Sequence, residues 1–275
     1  MSWSREFAAL FMSKQSTLPE AKLTMVRLGG CIKMRSPLLG EFMGTLVLVL
    51  MGCGVNAGVS LKRSKAEGAG WMVICAGWAF AVLCGIFTAL LFGSKDAHLN
   101  PAITLAFGIS NHDFSRLFSF AGAQLAGAFC GAVLVWLYYL PHWKLTPDAE
   151  TKRGVFCTIP AVRSYGSNFF CEALATFVLV IVAGSMSSRL VLSTGAAAGL
   201  SPLLVSCLIW GIGLGLGGTT GWAINPVRDL GPRLAHALLP VAGKGGSDWA
   251  YAWVPVLGPL AGAAVAGFVL RWLGA

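Results

Sequence analysis

The chain has 275 residues, 56% of them hydrophobic and only 11% charged, against roughly 25% charged residues in ordinary soluble domains. Too few charges remain to coat a water-facing surface, which excludes a soluble globular fold. The net charge of +9, from 20 Lys and Arg against 11 Asp and Glu, would raise the question of nucleic acid in a soluble protein; here it reads as membrane topology.

Six of those cations (Arg5, Lys14, Lys22, Arg27, Lys33, Arg35) precede the first apolar run, opposed only by Glu6 and Glu20. They place the N-terminus of segment 1–36 in the cytoplasm, and an even number of spans returns the C-terminus there. Arg116 and Arg189 agree with that orientation, whereas Lys62, Arg63 and Lys65 fall in the first external loop and oppose it. The first apolar patch, Phe7 to Met12, is too short for a cleavable signal. Trp3, Phe7, Leu10 and Phe11 recur at helical spacing, which suits either a short surface helix or a disordered tail.

Apolar runs then follow in order. Residues 68–94, 117–141, 190–227 and 249–270 contain no Asp, Glu, Lys or Arg, and 37–58 and 164–188 carry one acid each, Glu41 and Glu172. A bilayer core takes about 20 apolar residues per helix, so the runs give six spans, with 190–227 long enough for a further feature. The cysteines form no CxxC pair and mostly lie in apolar runs, where a thiol behaves as a small hydrophobe; neither a zinc site nor a disulfide framework is indicated. No cofactor is expected.

The second half of the chain repeats the first. Leu39-Gly-Glu41-Phe-Met-Gly-Thr45 answers Phe170-Cys-Glu172-Ala-Leu-Ala-Thr176, Leu99-Asn100-Pro101-Ala102 answers Ile224-Asn225-Pro226-Val227, and Gly122-Ala-Gln-Leu-Ala-Gly127 answers Leu257-Gly-Pro-Leu-Ala-Gly262. The repeats run from about 37 to 140 and from about 165 to 272. Three spans per repeat is an odd number, so the copies lie inverted across the membrane, an arrangement that puts the transport site near the midplane.

Each repeat also holds an apolar segment too short to cross. Pro101 to Ile109 is nine residues, about 14 Å as helix, half of a roughly 30 Å core. Asn100-Pro101 and Asn225-Pro226 are helix starts, because Asn serves the first backbone N–H groups and Pro lacks the N–H that would go unpaired. Two such half-helices meeting N-terminus to N-terminus make a seventh, broken span, tolerated at that depth only where it is buried or lines a wet cavity. A pore follows.

At these residues the sequence resembles the aquaporin and glycerol-facilitator family, the major intrinsic proteins, over roughly 37–272. The motifs are His98-Leu-Asn-Pro-Ala-Ile-Thr104 and Ala223-Ile-Asn-Pro-Val-Arg-Asp229; Val227 departs from the Ala usual there. The resemblance implies an all-α membrane fold of six transmembrane helices plus two re-entrant half-helices in an inverted repeat, and a homotetramer in lipid. It implies Asn100 and Asn225 as pore asparagines, and Trp78, Gly213, Trp222 and Arg228 as the narrowest ring. Motif and loop support falls to His98, Pro101, Ala102, Pro226, Val227, Asp229, Glu41 and Glu172, with the two acids accepting loop N–H groups and His98 offering its backbone carbonyl.

Asp229 and the long loop 140–166 resemble the glycerol-conducting branch. Gly213, where water-selective members carry His, is expected to open space, with Trp78 and Trp222 as an apolar wall opposite Arg228. Trp222 departs from the Phe or Tyr of glycerol facilitators. The expected function is a passive channel for glycerol, water and other small neutral solutes that excludes protons and ions, in a plasma or bacterial inner membrane. Alternatives are a water-selective or urea channel and, from another class, a coupled transporter, against which stands the lack of a carboxylate and histidine relay around Arg228. No enzyme motif is present.

Overall fold

A computed structural model describes residues 26–28, 31–33, 35–188 and 199–274. The expected surface helix over Trp3 to Phe11, and Arg189, lie outside them. The chain divides into two compact units, 1–36 and 37–275. In the first, β1 (Val26–Leu28) pairs antiparallel with β2 (Cys31–Lys33), Arg27 opposite Ile32.

The second unit is helical among its described residues. Five helices are long and apolar enough to cross a membrane: α1 (Pro37–Ser60), α2 (Trp71–Phe92), α4 (Leu117–Tyr138), α7 (Tyr165–Ser187) and α10 (Trp253–Leu273). The sixth span, α8 (Leu200–Leu216), has 17 residues, about 26 Å at 1.5 Å each. The half-helices are α3 (Pro101–Asn111) and α9 (Pro226–Leu238). α3 is two residues longer than its apolar run predicts, because His112 turns left-handed (φ 57) only after Asn111 and returns its N–H to the Gly108 carbonyl. Two short helices, α5 (Leu140–Leu145) and α6 (Ala149–Phe156), occupy the long third loop.

Packing obeys the repeat. α1 lies against α2 and α4 as α7 lies against α8 and α10, and each half-helix also packs on the last span of the other repeat, α3 on α10 and α9 on α4. Small residues allow it. A Cβ on Gly131 of α4 would lie 2.5 Å from the Leu46 carbonyl oxygen of α1, and one on Gly258 of α10 would lie 2.8 Å from the Glu172 Cβ of α7. Lipid tails are as apolar as the helices, so close backbone approach through such glycines supplies packing that the hydrophobic effect cannot.

Loop charge is partly neutralised. Lys62 Nζ lies 2.7 Å from Glu67 Oε1, and the other oxygen of that acid accepts the Arg63 N–H at 2.8 Å. One of the three cations of that loop, Lys62, is thus paired, but orientation follows the Lys and Arg count rather than net charge, so the loop still opposes the expected orientation.

Candidate functional site

The half-helices meet through their cap residues. Asn100 Oδ1 accepts the Ala102 N–H at 2.9 Å, and Asn225 Oδ1 accepts those of Val227 and Arg228 at 3.1 and 3.4 Å. Each amide nitrogen then crosses to the other loop: Asn100 Nδ2 donates to the Ile224 carbonyl and Asn225 Nδ2 to the Leu99 carbonyl, both at 2.8 Å. An amide has two N–H donors, so each asparagine keeps one for the cavity it lines.

The preceding loops, 93–100 and 217–225, have a matched and strained backbone. Ala97 and Leu99 are left-handed at φ 45 and 52, and their counterparts Trp222 and Ile224 at φ 35 and 43. Such conformations cost of order 1–3 kcal/mol each and need external support. Two buried acids supply it. Glu41 accepts the N–H groups of His98 and Leu99 at 3.0 and 2.7 Å, and Glu172 those of Ala223 and Ile224 at 3.0 and 2.9 Å. With these N–H groups fixed, the carbonyls of Ala97, His98, Trp222 and Ala223 accept no hydrogen bond from described residues, and all four residues line the cavity. The His98 imidazole is engaged elsewhere, with Nδ1 3.1 Å from Thr104 Oγ1 and its ring stacked on Phe107.

Two cavities meet at one ring. The larger, about 730 Å³, opens on the face carrying turn 111–116 and runs past both asparagines; the smaller, about 130 Å³, lies under loop 139–164. Trp78, Trp222 and Arg228 line both. Arg228 is 7% exposed, and its Nη1 is buried with no partner among the described residues. An unpaired buried donor is costly, and the donors that Arg228 can offer to the cavities it lines are its other guanidinium nitrogens, which are not among the buried unpaired atoms.

A sequence profile described as Major intrinsic protein matches residues 31–270. The chain belongs to that family. The match begins six residues before 37 and so reaches into the N-terminal segment. The chain is 48% identical over 238 residues to glycerol uptake facilitator protein 3 of Lactiplantibacillus plantarum, covering 86% of this chain and 96% of that one. It is equally identical over 237 residues to a probable glycerol uptake facilitator protein of Thermotoga maritima, covering 86% and 98%. A solved structure, the aquaglyceroporin from Plasmodium falciparum, superposes with a TM-score of 0.74 at 27% identity, covering 86% of this chain and 94% of that one. The chain is thus an integral membrane protein of a channel family.

Two geometric expectations change. Gly213 lines neither cavity: a Cβ there would meet Trp222 Cζ2 at 2.8 Å and Cys75 Sγ at 3.1 Å. The room that glycine leaves is filled by the Trp222 indole. Trp78 also does not stand opposite Arg228, because the guanidinium carbon lies 3.8 Å from its ring centroid, a cation–π contact that shares the indole face with the charge. The Trp78 N–H is anchored on Asn56 Oδ1 at 3.0 Å.

Asp229 acts away from the lumen. It binds Arg233 at 2.7 Å and accepts the Thr158 N–H and hydroxyl at 2.8 and 2.6 Å, while Arg233 reaches the Ser247 carbonyl at 2.6 Å. This buried, fully bonded ion pair ties loops 157–164 and 239–252 to the half-helix beside the ring. Sequence reading missed Arg233, Thr158, Asn56 and Trp71. The spacing of Asp229 and Arg233, one helical turn apart, was the available signal.

Proposed function

We propose that this chain is a passive channel conducting glycerol and other small uncharged solutes together with water, while excluding protons and ions. The relatives' names support the solute class. The observation that carries the reading is the shared ring, where two indoles and one guanidinium stand between the two cavities. A polyol passing there lays its CH edge on the indoles, gaining at most about 0.8 kcal/mol per methylene. Its oxygens meet donors on Arg228, Asn100 and Asn225, and acceptors on the free carbonyls of both loops. These replace hydration step by step without tight binding.

Charge is excluded by the same parts. Both half-helix N-termini direct partial positive charge at the midplane, and Arg228 adds a full one. The asparagine N–H groups bind the oxygen of a central water, which then cannot relay a proton along a continuous chain. The 111–116 face is assigned to the cytoplasm, from the cationic segment 1–36, and the channel is assigned to a homotetramer in a plasma or bacterial inner membrane.

Stopped-flow light scattering on proteoliposomes, comparing water, glycerol, urea and a larger polyol, tests the reading. Glycerol equilibration well above that of empty liposomes, indifferent to a protonophore, is the expected result. Water flux alone would make the protein a water channel, and accumulation against a gradient would make it a coupled transporter.

A further inference from the structure

Trp71 belongs to no motif, yet it sits beside the ring and lines the smaller cavity with Trp78, Trp222 and Arg228. It is the first residue of α2, reached through Gly70 at φ 88. Two contacts define it. Its indole Nε1 donates to the Gly213 carbonyl at 3.1 Å, and its ring meets Trp222 edge to face, with centroids 4.9 Å apart at 77°. Such an edge-to-face pair is favourable beyond the area it buries.

On the other side of Trp222, α8 has been cut away. Gly213 and Gly217 lie one turn apart on one face of the chain. A Cβ on Gly217 would fall 2.5 Å from Trp222 Cε3 and 2.5 Å from the Gly213 carbonyl oxygen. The two glycines therefore form a slot for the Trp222 indole, whose backbone is left-handed at φ 35, a costly conformation for so bulky a residue. Trp71 packs on the same indole edge to face and so covers it. Because its N–H is tied to Gly213, the same residue fixes the cover to the slot.

We propose that Trp71 is a specificity-determining positioning residue: held on the Gly213 carbonyl, it clamps the Trp222 indole into the slot of Gly213 and Gly217 and so sets the pore's width. This rests on the channel reading above and names a residue that acts through Trp222 rather than on the solute. Relative permeability is the readout, because the ratio of a larger polyol to glycerol in the same vesicles is independent of how much folded protein they contain.

Five variants, Trp222→Ala and its double with Trp71→Phe among them, are measured against the wild type. Trp71→Phe keeps a ring and removes the N–H; losing a neutral hydrogen bond corresponds to about a fivefold shift between clamped and released positions, so the ratio should change severalfold. Trp71→Ala should change it further. Gly217→Ala, which attacks the clamp from the slot side, should change it without touching Trp71. In a Trp222→Ala background, Trp71→Phe should have no further effect, the non-additivity expected of residues acting as one unit.

An unchanged ratio in Trp71→Phe and Gly217→Ala, in vesicles where Trp222→Ala does shift it, overturns the proposal. So does an equal shift by Trp71→Phe with and without Trp222. Failure of the channel reading looks different, since the wild type itself would then pass no glycerol.

Discussion

Loops 93–100 and 217–225 are built on one plan and present different chemistry to the pore. Both alternate left-handed residues, both end on an asparagine cap, and both hang from a buried glutamate of the first helix in their repeat. Yet where the second loop carries Trp222 and the second half-helix Arg228, the equivalent positions of the first are Ala97 and Ile103. On one side of the midplane these two positions carry no charge and line a cavity of about 730 Å³, while on the other the ring gives on to a cavity of about 130 Å³. The inverted repeat supplies the backbone frame, and side chains alone make its two ends different.

The supports differ as well. Glu41 also accepts the Ser94 hydroxyl at 2.6 Å and Gln124 Nε2 at 2.8 Å; Glu172 has the Thr220 hydroxyl as a further side-chain partner, but Pro259 stands in the second repeat at the place of Gln124 and can donate nothing. The second loop has a different brace: Asp229 and Arg233 bind it to the third loop and to 239–252.

The largest expected effect comes from breaking the shared frame. Glu41→Gln replaces an acceptor oxygen with an amide and strands buried donors, at about 1–3 kcal/mol for each donor left unpaired. It should lower the thermal unfolding temperature more than Glu172→Gln, by detergent-solubilised melting. Equal losses would mean that Gln124 adds nothing to the Glu41 site. Next, Trp222→Ala should raise water flux and weaken discrimination among polyols in stopped-flow assays, while Ala97→Gly at the equivalent place, which suits its left-handed backbone at φ 45, leaves the glycerol-to-water ratio within about twofold. Selectivity lost equally at both would make the ring symmetric.

A smaller effect concerns the outer brace. The Arg163 guanidinium bonds the Asp248 carboxylate and holds its pKa below the ordinary value. Because the folded pKa is depressed, the contribution is present above the unfolded value near 3.9 and is lost as pH falls through the folded one. The pair is partly exposed, so Asp248→Asn should cost only about 1 kcal/mol or less. A melt at pH 7 should show that small loss, and a melt well below pH 4 should show none.

Much of the frame was legible because it is written in local signals. Runs without charge mark spans, Asn-Pro marks a capped half-helix, and the spacing of Glu41 from Glu172 marks the repeat. The ring was legible only in part. Trp78, Trp222 and Arg228 line both cavities, but the use of Gly213 did not follow from its own position: whether a missing Cβ opens a pore or seats a neighbour depends on where Trp222 points, and Trp222 packs on Trp71, which is bonded to Gly213 across 142 residues. Long-range pairs of this kind, Asn56 with Trp78 or Thr158 with Asp229, leave no periodic trace.

The central claim is that paired half-helix ends and one charged ring pass neutral polyols and stop protons. Glycerol re-swelling and the decay of an imposed pH gradient, followed in the same proteoliposomes with an internal pH dye, test both halves at once. The account predicts rapid glycerol entry with pH decay no faster than in empty vesicles. Proton leakage that rises together with glycerol flux would contradict it.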